Sequence, residues 1–104
     1  MKSKKHEYIR TRVPAEESLA QLAEEAIELA HAALKMRRAL GRTNPTPLSS
    51  VEALARLKEE VADVLLLLEV LGIDGNPEEY ERIKDYKLQR WVDRLQSAEK
   101  GLRV

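Results

Sequence analysis

The sequence of 104 residues contains no cysteine and no phenylalanine. Without cysteine, neither a disulfide framework nor a thiolate metal site can form. Without Phe, and with aromatics limited to one Trp and three Tyr, the core must be Leu, Val, Ile and Ala. Net charge is missing too. The 18 Lys and Arg balance the 18 Asp and Glu, so no global field favours a nucleic-acid polymer or a membrane surface. No apolar run reaches the roughly 18 residues of a membrane-spanning helix. The basic start, Met1-Lys2-Ser3-Lys4-Lys5-His6, is not followed by the apolar stretch of a signal peptide. The length suits one domain over 1–104, and the expectation is a cytoplasmic protein with no membrane partner.

What is present is charge, 35% of residues, interspersed with Leu and Ala at helical spacing. Residues 1–13 read as a polar, basic arm with Tyr8, Ile9 and Val13 as anchors. From Pro14 to Leu40, apolar residues recur at three- and four-residue steps. Acids Glu16 and Glu17 open this helix, and Arg37, Arg38 and Gly41 close it. Ser49-x-x-Glu52 reads as a capping box for a second helix that stops at Gly72. Asn76, Pro77 and Glu79 open a shorter third helix, with Tyr80, Ile83, Leu88, Trp91, Val92 and Leu95 on its apolar side. It fades into a tail over 97–104. The fold class is all-α: two long helices and a shorter third. Residues 61–71 are apolar around most of their circumference, so one partner helix cannot cover them. A homo-oligomer in which two chains complete a four-helix-type core is therefore expected. The alternative is a monomer whose N-terminal arm covers the extra surface.

Two acid pairs stand on the long helices. Glu25 and Glu28, and likewise Glu60 and Asp63, are three residues apart, so each pair shares a face about 60° wide. If the helices run antiparallel the pairs can meet. Four converging carboxylates would make an all-oxygen site for a hard divalent cation such as Mg²⁺ or Mn²⁺. A Glu-x-x-Glu pair is also commonplace on a solvated face, and the pattern leaves both readings open. The second pair is the harder to dismiss, because it opens the most apolar stretch of the chain. The third helix carries Lys84, Lys87, Arg90 and Arg94. Cations beside an acid-held metal suit polyphosphate, whereas Lys84 and Arg94 fit a solvated basic stripe better. His31 lies three residues beyond Glu28, a spacing used by di-iron bundles, but no second histidine follows Asp63.

The runs Glu24-Glu25-Ala26-Ile27-Glu28-Leu29-Ala30, Glu59-Glu60-Val61-Ala62-Asp63-Val64-Leu65 and Lys87-Leu88-Gln89-Arg90-Trp91 resemble the MazG-like all-α nucleoside triphosphate pyrophosphohydrolases. That family has an E-x-x-E helix, an E-x-x-D helix and a following N-x-K-F-x-R-R helix. The resemblance spans about residues 15–95. It implies a helical homodimer or homotetramer that uses Mg²⁺ to cleave a nucleoside triphosphate to its monophosphate and pyrophosphate. Glu25, Glu28, Glu60 and Asp63 would be the metal ligands, and Glu24 or Glu25 would orient or deprotonate the attacking water. Lys87 would contact phosphate with help from Arg90, Trp91 could stack on a base, and His31 could touch phosphate or water. Three differences stand out: the Glu28–Glu60 gap is longer than usual, Asp85 replaces the family's Asn, and Arg90-Trp91 replaces its double Arg. A non-catalytic helical dimerisation or adaptor module is the competing reading.

Overall fold

A computed structural model describes residues 3–41 and 47–101. Residues 42–46 of the predicted 41–50 connection lie outside them. Among the described residues there are helices and no strands, as the all-α expectation requires. The helices are α1 (Lys4–Arg12), α2 (Ala15–Leu40), α3 (Ser50–Leu71) and α4 (Pro77–Glu99). Two compact units are distinguished, Met1–Asp74 and Gly75–Val104. The first holds α1 to α3 and the second holds α4. No described helix is long and apolar enough to cross a membrane.

The predicted boundaries are built as the caps suggest. Ser49 Oγ accepts the Glu52 backbone N–H at 3.1 Å, and Asn76 Oδ1 accepts that of Glu79 at 3.1 Å. Each satisfies one of the free N–H groups that open a helix. The Glu52 carboxylate accepts the Ser49 hydroxyl rather than its N–H, so only half of the expected capping box forms. Gly72 takes the left-handed conformation, φ 74°, and Ile73 N–H reaches back to the Leu68 carbonyl at 3.2 Å. That six-residue closure needs a residue tolerant of positive φ.

Two features differ from the sequence expectation. The N-terminal arm is a helix over most of its length. Ser3 Oγ accepts the His6 N–H at 3.4 Å, and His6 Nδ1 accepts the Ser3 N–H at 3.1 Å. This is a capping box with His where Glu or Gln is usual, and so carries no familiar signature. In addition, α4 has 23 residues against 22 in α3, so the third long helix is not the shorter one. It runs to Glu99, into the segment read as tail.

The core of the first unit is the α2–α3 seam. The α2 residues that are not exposed are Ser18, Leu22, Glu25, Leu29, Ala32, Met36 and Ala39. They are separated by alternating steps of four and three, the spacing of a coiled-coil contact line. On α3, Ala53, Leu57, Glu60, Val64 and Leu67 repeat it. The register is antiparallel: Ser18 and Gln21 border a groove with Leu66 and Val70, Glu25 meets Glu60 and Asp63, and Ala32 lines a cleft with Ala53. Beyond Leu67 the covered part of α3 widens to include Leu68, Glu69, Val70 and Leu71, where α1 also packs against it.

α1 is clipped there by one polar contact. His6 Nε2 lies 2.8 Å from Glu69 Oε1, with side chains 15% and 34% exposed. Because Nδ1 accepts from Ser3, the ring hydrogen belongs on Nε2 and is donated to the carboxylate. His6→Ala should therefore release α1 and leave the α2–α3 seam intact. A hydrogen bond to a charged group contributes about 1.5–3 kcal/mol. Hydrogen exchange should show faster amides in α1 only, with protection in α2 and α3 unchanged.

The seam leaves much apolar surface uncovered. Among the described residues no large side chain is fully buried, and Leu19, Ile27 and Leu34 of α2 and Leu54, Val61 and Leu65 of α3 are exposed. Within one chain Val61–Leu71 is thus covered on the seam side and also beyond Leu67, where α1 packs, while Val61, Leu65 and Leu66 stay exposed. The second unit behaves similarly. Tyr80, Ile83, Leu88, Trp91, Val92 and Leu95, the predicted apolar side of α4, are all exposed, and α4 has no buried residue.

Candidate metal and phosphate site

The contact line explains how two acids come to face each other. Glu25 and Glu60 occupy seam positions that uncharged residues fill elsewhere, so the antiparallel register sets one against the other. Asp63, one turn beyond Glu60 on α3, completes a trio in which one carboxylate oxygen from each residue lies within 4.8 Å of the others. Glu25 and Glu60 are half-buried and Asp63 is exposed. Glu25 is further oriented by Gln21, whose Nε2 donates to Oε1 at 2.9 Å. Like charges this close destabilise one another and also lose solvent.

The cost is visible at Glu60. Its carboxyl is raised above the ordinary glutamate value, first by loss of solvent and then by the charges of Asp63, Glu25, Glu28 and Glu59. The folded protein therefore holds this proton more tightly than the unfolded chain. The associated stability is complete below the ordinary value of about 4.3 and is lost as pH rises through the raised folded value. In chelator, Glu60→Gln should gain thermal stability relative to the wild type as pH increases across that range. Paired melts at several pH values measure it. A difference independent of pH would mean that the carboxyl is not perturbed.

Three hard oxygen donors fit Mg²⁺ or Mn²⁺. An ion with bonds of about 2.1 Å spans about 4.2 Å between opposite ligands, close to the spread of the trio. Glu25, Glu60 and Asp63 would hold it. Glu28, the fourth predicted ligand, is not within the trio. It is exposed and lines an adjacent cleft with Glu60, close enough to raise the Glu60 carboxyl. Glu24 is exposed and belongs to neither group.

The cleft has a volume of about 460 Å³ and a floor of Ala32 and Ala53, small residues that leave room between the helices. His31 lines it too, as the sequence suggested, together with Glu59, Lys35 and Arg56. None of the last three was singled out by sequence as a site residue, and Lys35 and Arg56 belong to no motif. Their signal was register: Lys35 lies seven residues beyond Glu28, and Arg56 four before Glu60, both on the rows that the acids define.

The remaining predicted residues, Lys87, Arg90 and Trp91, lie on α4 in the second unit and are exposed. Arg90 stands over the Tyr86 ring at 5.7 Å, within range of a cation–π contact. Lys84 pairs with Glu81, as expected of a solvated stripe. Trp91 is 58% exposed.

No protein-family model matches the sequence, and neither a curated protein nor a solved structure is significantly similar to it.

Proposed function

We propose that the protein is a divalent-cation-dependent nucleoside triphosphate pyrophosphohydrolase that works as a homo-oligomer. The observation that carries this reading is the meeting of Glu25, Glu60 and Asp63 beside a polar cleft. Acids at a helix seam are costly, and a cation with a phosphate ligand offsets that cost. The resemblance of the acid runs to the MazG-like family supports the same chemistry.

In this reading Glu25, Glu60 and Asp63 bind the cation. The chemistry such an ion supplies when bound is polarisation of phosphate oxygens and acidification of water. Water oxygen attacks the α-phosphorus, the bond from that phosphorus to the α–β bridging oxygen breaks, and the electron pair leaves with pyrophosphate. The proton lost by the water is taken by a carboxylate of the cleft, Glu28 or Glu59, in preference to Glu24, which does not line it. Lys87 and Arg90 as phosphate contacts, and Trp91 as a base platform, rest on the resemblance alone.

The exposed apolar residues of α2 and α3 support the oligomer. A hairpin with no large side chain fully buried among the described residues has a core too small to stand alone. Pairing with a second copy of this chain, hairpin on hairpin, would give a four-helix core.

The test is pyrophosphate release from a panel of ribo- and deoxyribonucleoside triphosphates with Mg²⁺ or Mn²⁺. Cation-dependent release from at least one of them is expected. If none releases pyrophosphate, the hydrolase is refuted, and the exposed apolar stripe then favours the helical adaptor.

A further inference from the structure

The cleft beside the acids is not uniformly acidic. Along α3 the order is Arg56, then Glu59 and Glu60, then Asp63. Along α2, running the other way, it is Lys35, then His31, Glu28 and Glu25. Both helices therefore grade from basic to acidic in the same spatial direction. At 1.5 Å per residue, Arg56 lies about 10 Å along the axis from Asp63, and Lys35 about 15 Å from Glu25. The basic end and the trio are thus separated by a few helical turns, joined by the cleft that Lys35, Arg56, Glu28 and Glu60 share.

The two cations are uncommitted. Among the described residues neither Lys35 nor Arg56 makes an ion pair or side-chain hydrogen bond, although Arg56 is spaced three and four residues from Glu59 and Glu60. An Arg that precedes its Glu by four residues is in the less favourable order for a helical pair. Both side chains remain available to a ligand in the cleft, where mixed charge would repel a bare anion less than an all-acid site does.

We propose that Lys35 and Arg56 form the phosphate-binding end of the cleft and hold the terminal diphosphate of a nucleoside triphosphate, the part that leaves as pyrophosphate. This rests on the hydrolase reading for the identity of the nucleotide, but binding of a polyphosphate with its cation does not require turnover. The α-phosphate then lies toward Glu60 and the trio. Negative charge that develops on the leaving oxygen faces the guanidinium and the ammonium, which strengthen their hold as the bond breaks. A nucleotide site lies within Met1–Asp74 on this assignment, and its phosphate contacts come from the same hairpin as its acids.

The experiment is calorimetric titration of Mg²⁺-tripolyphosphate into the full chain, with steady-state pyrophosphate release measured in parallel. Lys35→Gln and Arg56→Gln should each weaken tripolyphosphate binding about tenfold or more and raise KM for the nucleotide similarly. Lys84→Gln, which removes the same charge on α4, should change neither. Circular dichroism and melts establish that each variant is folded. Binding by the wild type that Lys35→Gln and Arg56→Gln reduce supports the subsite even if no nucleotide is hydrolysed, in which case only the hydrolase reading fails. Nucleotide turnover with KM and tripolyphosphate affinity unchanged in both variants overturns the subsite and leaves the hydrolase standing. Failure of the wild type to bind Mg²⁺-tripolyphosphate overturns it as well, and so does loss of binding in Lys87→Gln alone.

Discussion

Glu60→Gln should lower pyrophosphate release by at least about a hundredfold, the loss common when one preorganised electrostatic contact to a transition state is removed. The substitution keeps the side-chain shape and removes one of the three carboxylates that would hold the cation. Its effect on the fold should have the opposite sign. In the metal-free protein Glu60 is half-buried and faces Asp63 and Glu25, and its carboxyl is raised by loss of solvent and by those neighbours. A neutral amide relieves that repulsion, so the metal-free variant should melt no lower than the wild type at neutral pH. Functional sites commonly hold groups that a stability optimum would exclude. Added Mg²⁺ should raise the wild-type melting temperature and leave the variant's almost unchanged, since a ligand stabilises only the state that binds it. If Glu60 were merely structural, the variant would melt lower and retain whatever activity the protein has.

Leu65→Glu should abolish the proposed self-association. In a single chain Leu65 is 52% exposed, and a charge at such a position shifts stability by about 0.5 kcal/mol or less. At the centre of a four-helix interface the same charge would be buried without a partner, which costs about 3–5 kcal/mol. That weakens self-association by a factor on the order of a hundred to a thousand or more. Sedimentation or light scattering should find the wild type as a dimer or tetramer and the variant as a monomer at micromolar concentration. Because the acids stand on the same two helices as this apolar stripe, activity should fall along with assembly. A wild-type monomer, or a variant that assembles normally, would place the stripe outside any self-contact.

The helix boundaries were legible because they depend on local chemistry. Ser49, Gly72 and Asn76 act within a few residues of where they stand, and each caps its helix as its side chain or φ preference dictates. The meeting of Glu25 with Glu60 and Asp63 was legible for a different reason. One member of each acid pair, Glu25 and Glu60, falls on a contact line with steps of four and three, and an antiparallel hairpin brings such lines together. α1 escaped because nine mostly polar residues show no helical segregation, and because His6 replaces the acid of the usual capping box. Lys35 and Arg56 escaped because an isolated cation on a charged helix reads as solvated until the register places two of them on one cleft. Exposure of the α4 apolar side was not legible either. Periodicity says which face of a helix is apolar, and not whether another surface reaches it.

The most direct measurement is calorimetric titration of Mn²⁺ into metal-free wild-type protein and into Glu60→Gln near neutral pH. The expected result is saturable binding in the wild type that is lost in the variant, with affinity rising with pH as the carboxylates deprotonate. Absence of saturable binding in the wild type, or equal binding by the variant, would contradict a cation site built from Glu25, Glu60 and Asp63.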